Sequence, residues 1–139
     1  SELIKRRFVI GSYSLFKENQ EELFLKAQKA RRAIVNRTNE LLETYDAIYL
    51  PCVSEVKKQL KGASQDKLSA SNMIVENHLA IGNFAGLPSI SLPIGLEDGF
   101  PFDANLTGRA FDEANLLNIA YSIEQRTNLK DLVVEKVVD

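Results

Sequence analysis

The chain has 139 residues and a mass of 15.6 kDa, enough for one domain with a buried core. Hydrophobic residues make up 45% and charged residues 26%, which excludes a disordered tail and a coiled coil. The net charge of −2 argues against bulk attraction to nucleic acid or to an anionic membrane.

Single cysteine and histidine residues limit the chemistry that the sequence supports. Cys52 and His78 are the only residues of their types, which excludes an intrachain disulfide and an internal Cys/His zinc site. No apolar run is long enough to cross a membrane, and the first residues lack a secretory signal. We therefore expect a cytoplasmic protein. The absence of an initiator Met further predicts that the chain was processed or was cut from something longer.

The first predicted element is a long helix from about Asn19 to Tyr45. Asn19 and Glu22 have the spacing of a capping box. Apolar residues then recur at helical spacing and form one stripe, which consists of Leu23, Ala27, Ala30, Ile34, Leu41 and Tyr45. Residues Asp46 to Pro51 predict a short buried strand, which Pro51 ends.

A polar segment and a second group of elements follow. We expect a surface excursion at about residues 52–71, and then a helix from about Ser71 to Phe84 that stops at Gly86. Alternating residues predict strands over 89–95 and 102–107, joined by a tight turn at Asp98-Gly99. Asp112 is expected to cap a last helix that carries Leu116, Ala120 and Ile123 on one face and ends near Asn128.

This order of elements predicts an α/β or α+β domain with helices over a small sheet. The apolar strands suggest a larger sheet whose other strands are not in this chain. The Val-rich tail from Val133 to Val138 fits a strand or a helix equally well.

The sequence contains none of three common catalytic and nucleotide-binding motifs. There is no Gly-x-Ser-x-Gly elbow, no P-loop and no dinucleotide-binding Gly-rich turn. A lone histidine on a helix, such as His78, is more often a packing or capping residue than a catalytic base. Cys52 is interpreted as a half-buried thiol. The glycosylation sequon at Asn105 is interpreted as a chance match inside a predicted strand.

Arg7 and Glu76 form a pair with two interpretations. On residue type alone they are a surface arginine and a glutamate on a helix face. Alternatively, Arg7 could hold the α-carboxylate of a free amino acid through two parallel hydrogen bonds, while Glu76 holds its α-ammonium group.

Several segments together resemble the amidase signature family. Asn83-Phe84-Ala85-Gly86-Leu87-Pro88-Ser89-Ile90-Ser91-Leu92-Pro93-Ile94-Gly95 is the most specific match. The other matching segments, in chain order, are Lys5 to Leu15, Lys26 to Arg32, Tyr45 to Pro51, Asp98 to Pro101 and Gly108 to Glu113. Departures from the family pattern include Asp103, where Gly is usual, and Asn105, where Gln is usual. In addition, Cys52-Val53-Ser54 replaces a continuation that is rich in Thr and Pro.

The resemblance implies that residues 1–139 are the C-terminal part of an amidase signature domain, an α/β fold with helices packed on a mixed sheet. The catalytic Lys and the two Ser residues of that family lie upstream, so no catalytic residue is expected here and this part alone should be inactive. Within the family, the segments are most similar to those of its tRNA-dependent amidotransferases. The arginine that holds the glutamine carboxylate there falls on Arg7, and the aspartate that holds its ammonium group falls on Glu76.

The same resemblance implies partners. The complete enzyme would hydrolyse glutamine, and the ammonia would pass to another subunit of the complex, which activates the mischarged Glu-tRNA or Asp-tRNA with ATP and Mg²⁺. No metal or cofactor and no membrane is expected for this chain itself.

Two alternatives stay open at this point. One is another amidase signature hydrolase that acts on a simple amide. The other is a module without enzymatic activity that binds a protein partner through clustered basic residues, which are Lys26, Lys29, Arg31 and Arg32.

Overall fold

A computed structural model describes residues 2–52 and 77–129. Its helices are α1 (Glu2–Ser14), a π-helical segment (Gln20–Leu25), α2 (Lys26–Thr44), a 3₁₀ turn (Asn77–Leu79), α3 (Ala80–Ala85) and α4 (Glu113–Thr127). Its strands are β1 (Ile48–Pro51), β2 (Ser89–Glu97) and β3 (Phe100–Thr107). These elements confirm the predicted α/β class. Among these residues, no helix is long and apolar enough to cross a membrane.

The long helix predicted from Asn19 is confirmed, but its capping box is not formed. Asn19 has helical backbone angles, with φ −105° and ψ −11°, and its side chain makes no cap bond. The side-chain amide instead donates to the carbonyl oxygen of Tyr13 at 3.0 Å, while Glu22 pairs with Lys26 at 3.6 Å. An N-cap side chain needs an extended backbone to reach the free N–H groups, so the helical angles of Asn19 prevent this cap.

The apolar stripe predicted on this helix is largely exposed. Leu23, Ile34 and Tyr45 are each more than 40% exposed, and the residues that α2 buries are Thr38 and Leu42. Periodicity identifies an apolar face without identifying what covers it. In the described structure, α3 packs against α2, and no described element buries these three side chains.

The three described strands form an antiparallel sheet in the order β1-β3-β2. The resemblance predicted a mixed sheet, and these three strands contain only antiparallel pairs. β1 was predicted as a buried strand from Asp46, but it begins at Ile48 and alternates between half-buried and exposed residues. Tyr49 is 54% exposed because β1 lies at an edge of this sheet and packs on one face only.

The predicted hairpin joins β2 to β3 through Asp98 and Gly99. Both residues have positive φ, 50° and 81°, which is typical of a type I′ turn. A bulge at Pro93 and Gly95 shifts the strand register. A Cβ atom at Gly95 would overlap the ring of Phe102, so a larger residue at this bulge would force that half-buried ring to move.

The core lies between the sheet and α4. Leu92, Ala104 and Leu106 from the strands contact Leu116 and Ala120 from the helix. The face predicted for this helix is therefore confirmed, and the helix ends at Asn128, which is left-handed with φ 55° as a helix end often is.

Two predicted helix boundaries have different outcomes. Gly86 ends α3 with φ 68°, as predicted, and Leu87 N–H bonds back to the carbonyl oxygen of Gly82 at 3.0 Å. Asp112 precedes α4, but its carboxylate makes no bond to the N–H groups of that helix. It accepts instead from the side chains of Asn115 at 3.3 Å and Arg109 at 3.5 Å.

Three predictions fall on residues 53–76 and 130–139, outside the described part of the chain. They are the polar excursion after Cys52, the first half of the helix predicted from Ser71, and the Val-rich tail.

Candidate functional site

Arg7 lies in the middle of α1, and its side chain is exposed. Helix α1 contains no Pro, and its one glycine, Gly11, has no atom within 4 Å of the place that a Cβ would take. Arg7 and Gly11, four residues apart, thus lie on the same open face of the helix. An exposed guanidinium can donate two parallel hydrogen bonds to a carboxylate. Glu76 lies outside the described residues, so the pairing of these two residues stays a prediction.

His78 joins the start of the 3₁₀ turn to the end of β1. Its Nε2 atom lies 2.6 Å from the carbonyl oxygen of Pro51. Since that oxygen accepts, Nε2 carries the proton in this bond. The contact gives His78 a structural role, as predicted from the sequence. It also brings together the two backbone segments on either side of residues 53–76.

Cys52 is buried beside this contact. Its backbone N–H donates to the carbonyl oxygen of Asp103 at 3.4 Å, which continues the β1–β3 pairing by one residue. Cys52 was predicted as a half-buried thiol, and at 9% exposure it is more deeply buried than that.

A chain of polar side chains runs across β2 and β3. The side-chain amide of Asn105 donates to Ser91 Oγ at 3.1 Å, and Thr107 Oγ1 donates to Asn105 Oδ1 at 3.2 Å. Asn105 and Thr107 are buried, so these bonds satisfy polar groups inside the fold. A buried Asn105 is not available for glycosylation, in agreement with the interpretation of its sequon as chance.

Arg109 makes the most extensive side-chain contacts in the described structure. Its Nε donates to the carbonyl oxygen of Leu42 at 2.6 Å, and its Nη2 donates to that of Tyr45 at 3.2 Å. The guanidinium also lies 3.3 Å from Asp46 and 3.5 Å from Asp112. Arg109 thereby caps the C-terminal end of α2. In the sequence, Arg109 stands out only as part of a family-like segment, so this role was missed.

Arg31 is not a free basic residue on the surface of α2. Its Nε and Nη2 atoms donate to the carbonyl oxygen of Phe84 at 3.3 and 3.0 Å, and its guanidinium lies 5.6 Å from the centre of the Phe84 ring. Lys26 pairs with Glu22. Two members of the predicted basic cluster therefore serve contacts within the fold, which weakens the hypothesis of a protein-binding patch.

An apolar groove runs between α1, the π-helical segment and the start of α2. It has a volume of about 490 Å³, and its lining includes Ile10, Tyr13, Leu23, Ala27 and Ala30. Large apolar residues elsewhere on α1 are exposed as well, including Phe8 at 73% and Val9 at 67%. Exposed apolar surface of this extent is typical of a face that contacts other protein. No group of His, Cys, Asp and Glu suited to a metal ion occurs in residues 2–52 and 77–129.

Comparison with known proteins identifies relatives over most of the chain. The family model described as Amidase matches residues 1–117. The chain is 34% identical to the A subunit of glutamyl-tRNA(Gln) amidotransferase from Pelagibacter ubique over 134 residues, which are 95% of this chain and 27% of that protein. It is 37% identical to the protein of the same name from Syntrophomonas wolfei over 126 residues, which are 90% of this chain and 25% of that protein.

Solved structures show the same relationship. The crystal structure of the A subunit of glutamyl-tRNA(Gln) amidotransferase from Thermotoga maritima superposes with a TM-score of 0.69 at 34% identity, over 89% of this chain and 27% of that one. A bacterial aryl acylamidase of the amidase signature family gives a TM-score of 0.64 at 19% identity, which shows a shared fold. The chain thus spans about a quarter of the length of the relatives that it matches.

Proposed function

The chain belongs to the amidase family, and on that premise we propose that it is part of the A subunit of a glutamyl-tRNA(Gln) amidotransferase. The observation that carries this proposal is the identity of 34–37% to proteins of that name, over about 90% of the chain. The superposition on the Thermotoga maritima subunit supports it independently. Because the chain spans only a quarter of these relatives, the activity below is that of a complete subunit.

The exposed apolar surface of α1, the π-helical segment and α2 supports membership of a larger domain. Phe8, Tyr13 and Leu23 are 73%, 54% and 43% exposed, and the groove beside them has an apolar lining. A soluble protein rarely leaves such surface open to water, because burying it is favourable by about 25 cal/mol per Å². We therefore propose that further polypeptide of the same subunit covers these helices.

In this proposal, the chain contributes to holding the substrate. Arg7 binds the α-carboxylate of glutamine through two charge-assisted hydrogen bonds, and Glu76 binds the α-ammonium group. The position of Arg7 on an open face of α1 is compatible with that role. The Asp of the family is a Glu at position 76, which keeps the negative charge on a longer side chain.

The covalent chemistry belongs to residues outside this chain. A Ser activated by a Lys through a second Ser would attack the side-chain amide of glutamine, and backbone N–H groups would stabilise the negative oxygen that develops. The released ammonia would pass to a partner subunit, where ATP and Mg²⁺ activate the tRNA-bound Glu or Asp. This chain alone is accordingly proposed to be inactive.

Two measurements test the proposal. The native polypeptide that contains this sequence should have an intact mass several times 15.6 kDa. It should also release ammonia from glutamine, faster than from simple amides, whereas the isolated 139-residue chain should release none. A preference for simple amides would favour another amidase signature hydrolase. A native mass near 15.6 kDa would contradict the proposal.

A further inference from the structure

Phe111 extends its aromatic ring almost completely into solvent. The residue is 97% exposed, the highest value among the large hydrophobic residues in the described part of the chain. A phenylalanine ring has no polar atom that gains from water, so full exposure is unfavourable by itself. Such exposure indicates that the ring has a structural or functional role.

The backbone of Phe111 is also in an unusual conformation. Its φ of 62° lies in the left-handed region, which bulky residues rarely adopt and which glycine adopts without strain. Strain of this kind persists where the surrounding structure fixes the backbone, and it concentrates at functional positions. Phe111 therefore combines an unfavourable backbone conformation with an unfavourably placed side chain.

The residues around Phe111 explain how this conformation is held. The backbone N–H of Asp112 donates to the carbonyl oxygen of Arg109 at 3.2 Å, which closes a tight turn around Phe111. The Arg109 side chain fixes one end of the turn to the carbonyl oxygen of Leu42 at 2.6 Å. The backbone N–H of Gly108 donates to Pro88 at 3.0 Å. The backbone that carries the ring is thus fastened to α2 and to the segment before β2.

We infer that Phe111 is a preorganised anchor residue, and that its ring inserts into an apolar pocket of the remaining polypeptide of the same subunit. An aromatic side chain on a fixed backbone loses little conformational entropy when it is buried, which is why such residues dominate many contacts. This inference rests on the proposed function, since it requires a subunit longer than this chain.

Two observations favour the same subunit over a partner subunit or a second copy. The turn lies within residues 1–117, the stretch matched by the general Amidase family model. The turn thus belongs to the stretch that the family model covers, which favours an occupant within the amidase domain itself over one outside it. The relatives are also about four times as long as this chain, so most of the polypeptide of such a subunit lies outside this chain and is part of the same molecule at any concentration.

The test is hydroxyl-radical footprinting of the unsubstituted native polypeptide, with the oxidation of Phe111 read by mass spectrometry. The isolated subunit is compared with the same polypeptide in urea, with the assembled complex, and at several concentrations. We expect Phe111 to be oxidised several-fold more slowly in the folded, isolated subunit than in urea. An equal rate would overturn the inference, and so would protection that arises only with partner subunits or only at high concentration.

The intact mass of the same sample separates this inference from the proposed function. A mass near 15.6 kDa would overturn both. A longer polypeptide that hydrolyses glutamine, with a fully reactive Phe111, would overturn this inference alone.

A substitution gives a second readout in the complete subunit. Phe111→Gly removes both the backbone strain and the ring, so the change in Tm shows which of the two matters more. If the ring fills a pocket, Tm falls; a raised Tm would overturn the inference. Asn128→Gly is the matched control, because Asn128 has a similar φ of 55° at the end of α4, and its Tm should be unchanged or raised.

Discussion

The guanidinium of Arg109 donates a hydrogen bond of 2.6 Å to the backbone carbonyl oxygen of Leu42, which lies 67 positions earlier in the sequence. The last carbonyl groups of a helix have no partner within the helix. Arg109 supplies partners for the end of α2 and places a positive charge where the helix dipole is negative. One side chain thus connects α2 to the turn before α4.

We expect Arg109→Ala to lower the free energy of unfolding by about 2 kcal/mol, because it removes charged hydrogen bonds to otherwise unpaired carbonyl groups. Urea unfolding of the complete subunit measures the change. Arg109→Lys should recover only part of the loss, since an ammonium group cannot bond to Leu42 and Tyr45 with the same fork. Equal stability of the Ala variant and the unsubstituted chain would show that water replaces these bonds without cost.

The contact between His78 and Pro51 predicts a local effect. His78→Ala removes the 2.6 Å bond that holds the 3₁₀ turn against the end of β1. We expect faster amide hydrogen exchange at Cys52, whose N–H donates to Asp103 in the same region. Exchange in the β2–β3 hairpin should not change. His78→Gln is the control, because its side-chain amide can still donate to Pro51 and should preserve part of the protection.

Gly95 is crowded by a neighbouring side chain and Gly11 is not, so substitution of each by Ala tests the packing around it. Gly95→Ala places a Cβ atom inside the ring of Phe102, so we expect a loss of stability of about 1–3 kcal/mol. Gly11→Ala places a Cβ atom in open space within α1, and the better helix propensity should stabilise the chain by about 0.5–1 kcal/mol. Thermal unfolding of both variants checks the opposite signs. In the complete subunit, a destabilising Gly11→Ala would instead indicate that the polypeptide proposed to cover α1 contacts Gly11.

The features that were predictable from sequence are those set by neighbouring residues. Asp98-Gly99 determines a tight turn, Gly86 ends a helix, and the spacing of Leu116 and Ala120 identifies the buried face of α4. Each depends on backbone conformation or periodicity within a few residues. Such local signals do not depend on contacts with distant parts of the fold, so the sequence alone contains them.

The features that were missed depend on distant backbone groups. Arg109, Arg31 and His78 all bond to carbonyl oxygens, which every residue carries, so the sequence does not mark the partner. The burial of α2 was misjudged for a related reason. The stripe containing Leu23 and Ile34 is apolar, but periodicity does not reveal whether an element of the described structure covers it.

The candidate site, too, was predictable from the sequence only in part. Arg7 was selected through resemblance to a family, and the structure places it on an exposed face of a helix. Its distance from a bound substrate depends on polypeptide beyond the described residues. A functional measurement on the complete enzyme is therefore the decisive test of its role.

In the complete subunit of the proposed amidotransferase, Arg7→Ala should raise the KM for glutamine and leave kcat little changed. The guanidinium is proposed to bind the α-carboxylate, which does not change charge during hydrolysis of the side-chain amide, so the lost interaction is common to substrate and transition state. Removal of a charged hydrogen-bond partner costs about 2–3 kcal/mol, which corresponds to a roughly 30- to 150-fold higher KM. Steady-state ammonia release at varied glutamine concentrations measures both constants.

The controls separate a specific clamp from a general effect of charge. Arg32→Ala removes an arginine from the exposed surface of α2 and should leave the KM unchanged. Arg7→Lys keeps the charge but loses the two parallel bonds, so its KM should lie between those of the Ala variant and the unsubstituted enzyme. If Arg7→Ala and Arg32→Ala raise the KM equally, the effect is one of overall charge and the carboxylate clamp is wrong. If Arg7→Ala lowers kcat with an unchanged KM, Arg7 acts on the reacting amide instead of the carboxylate.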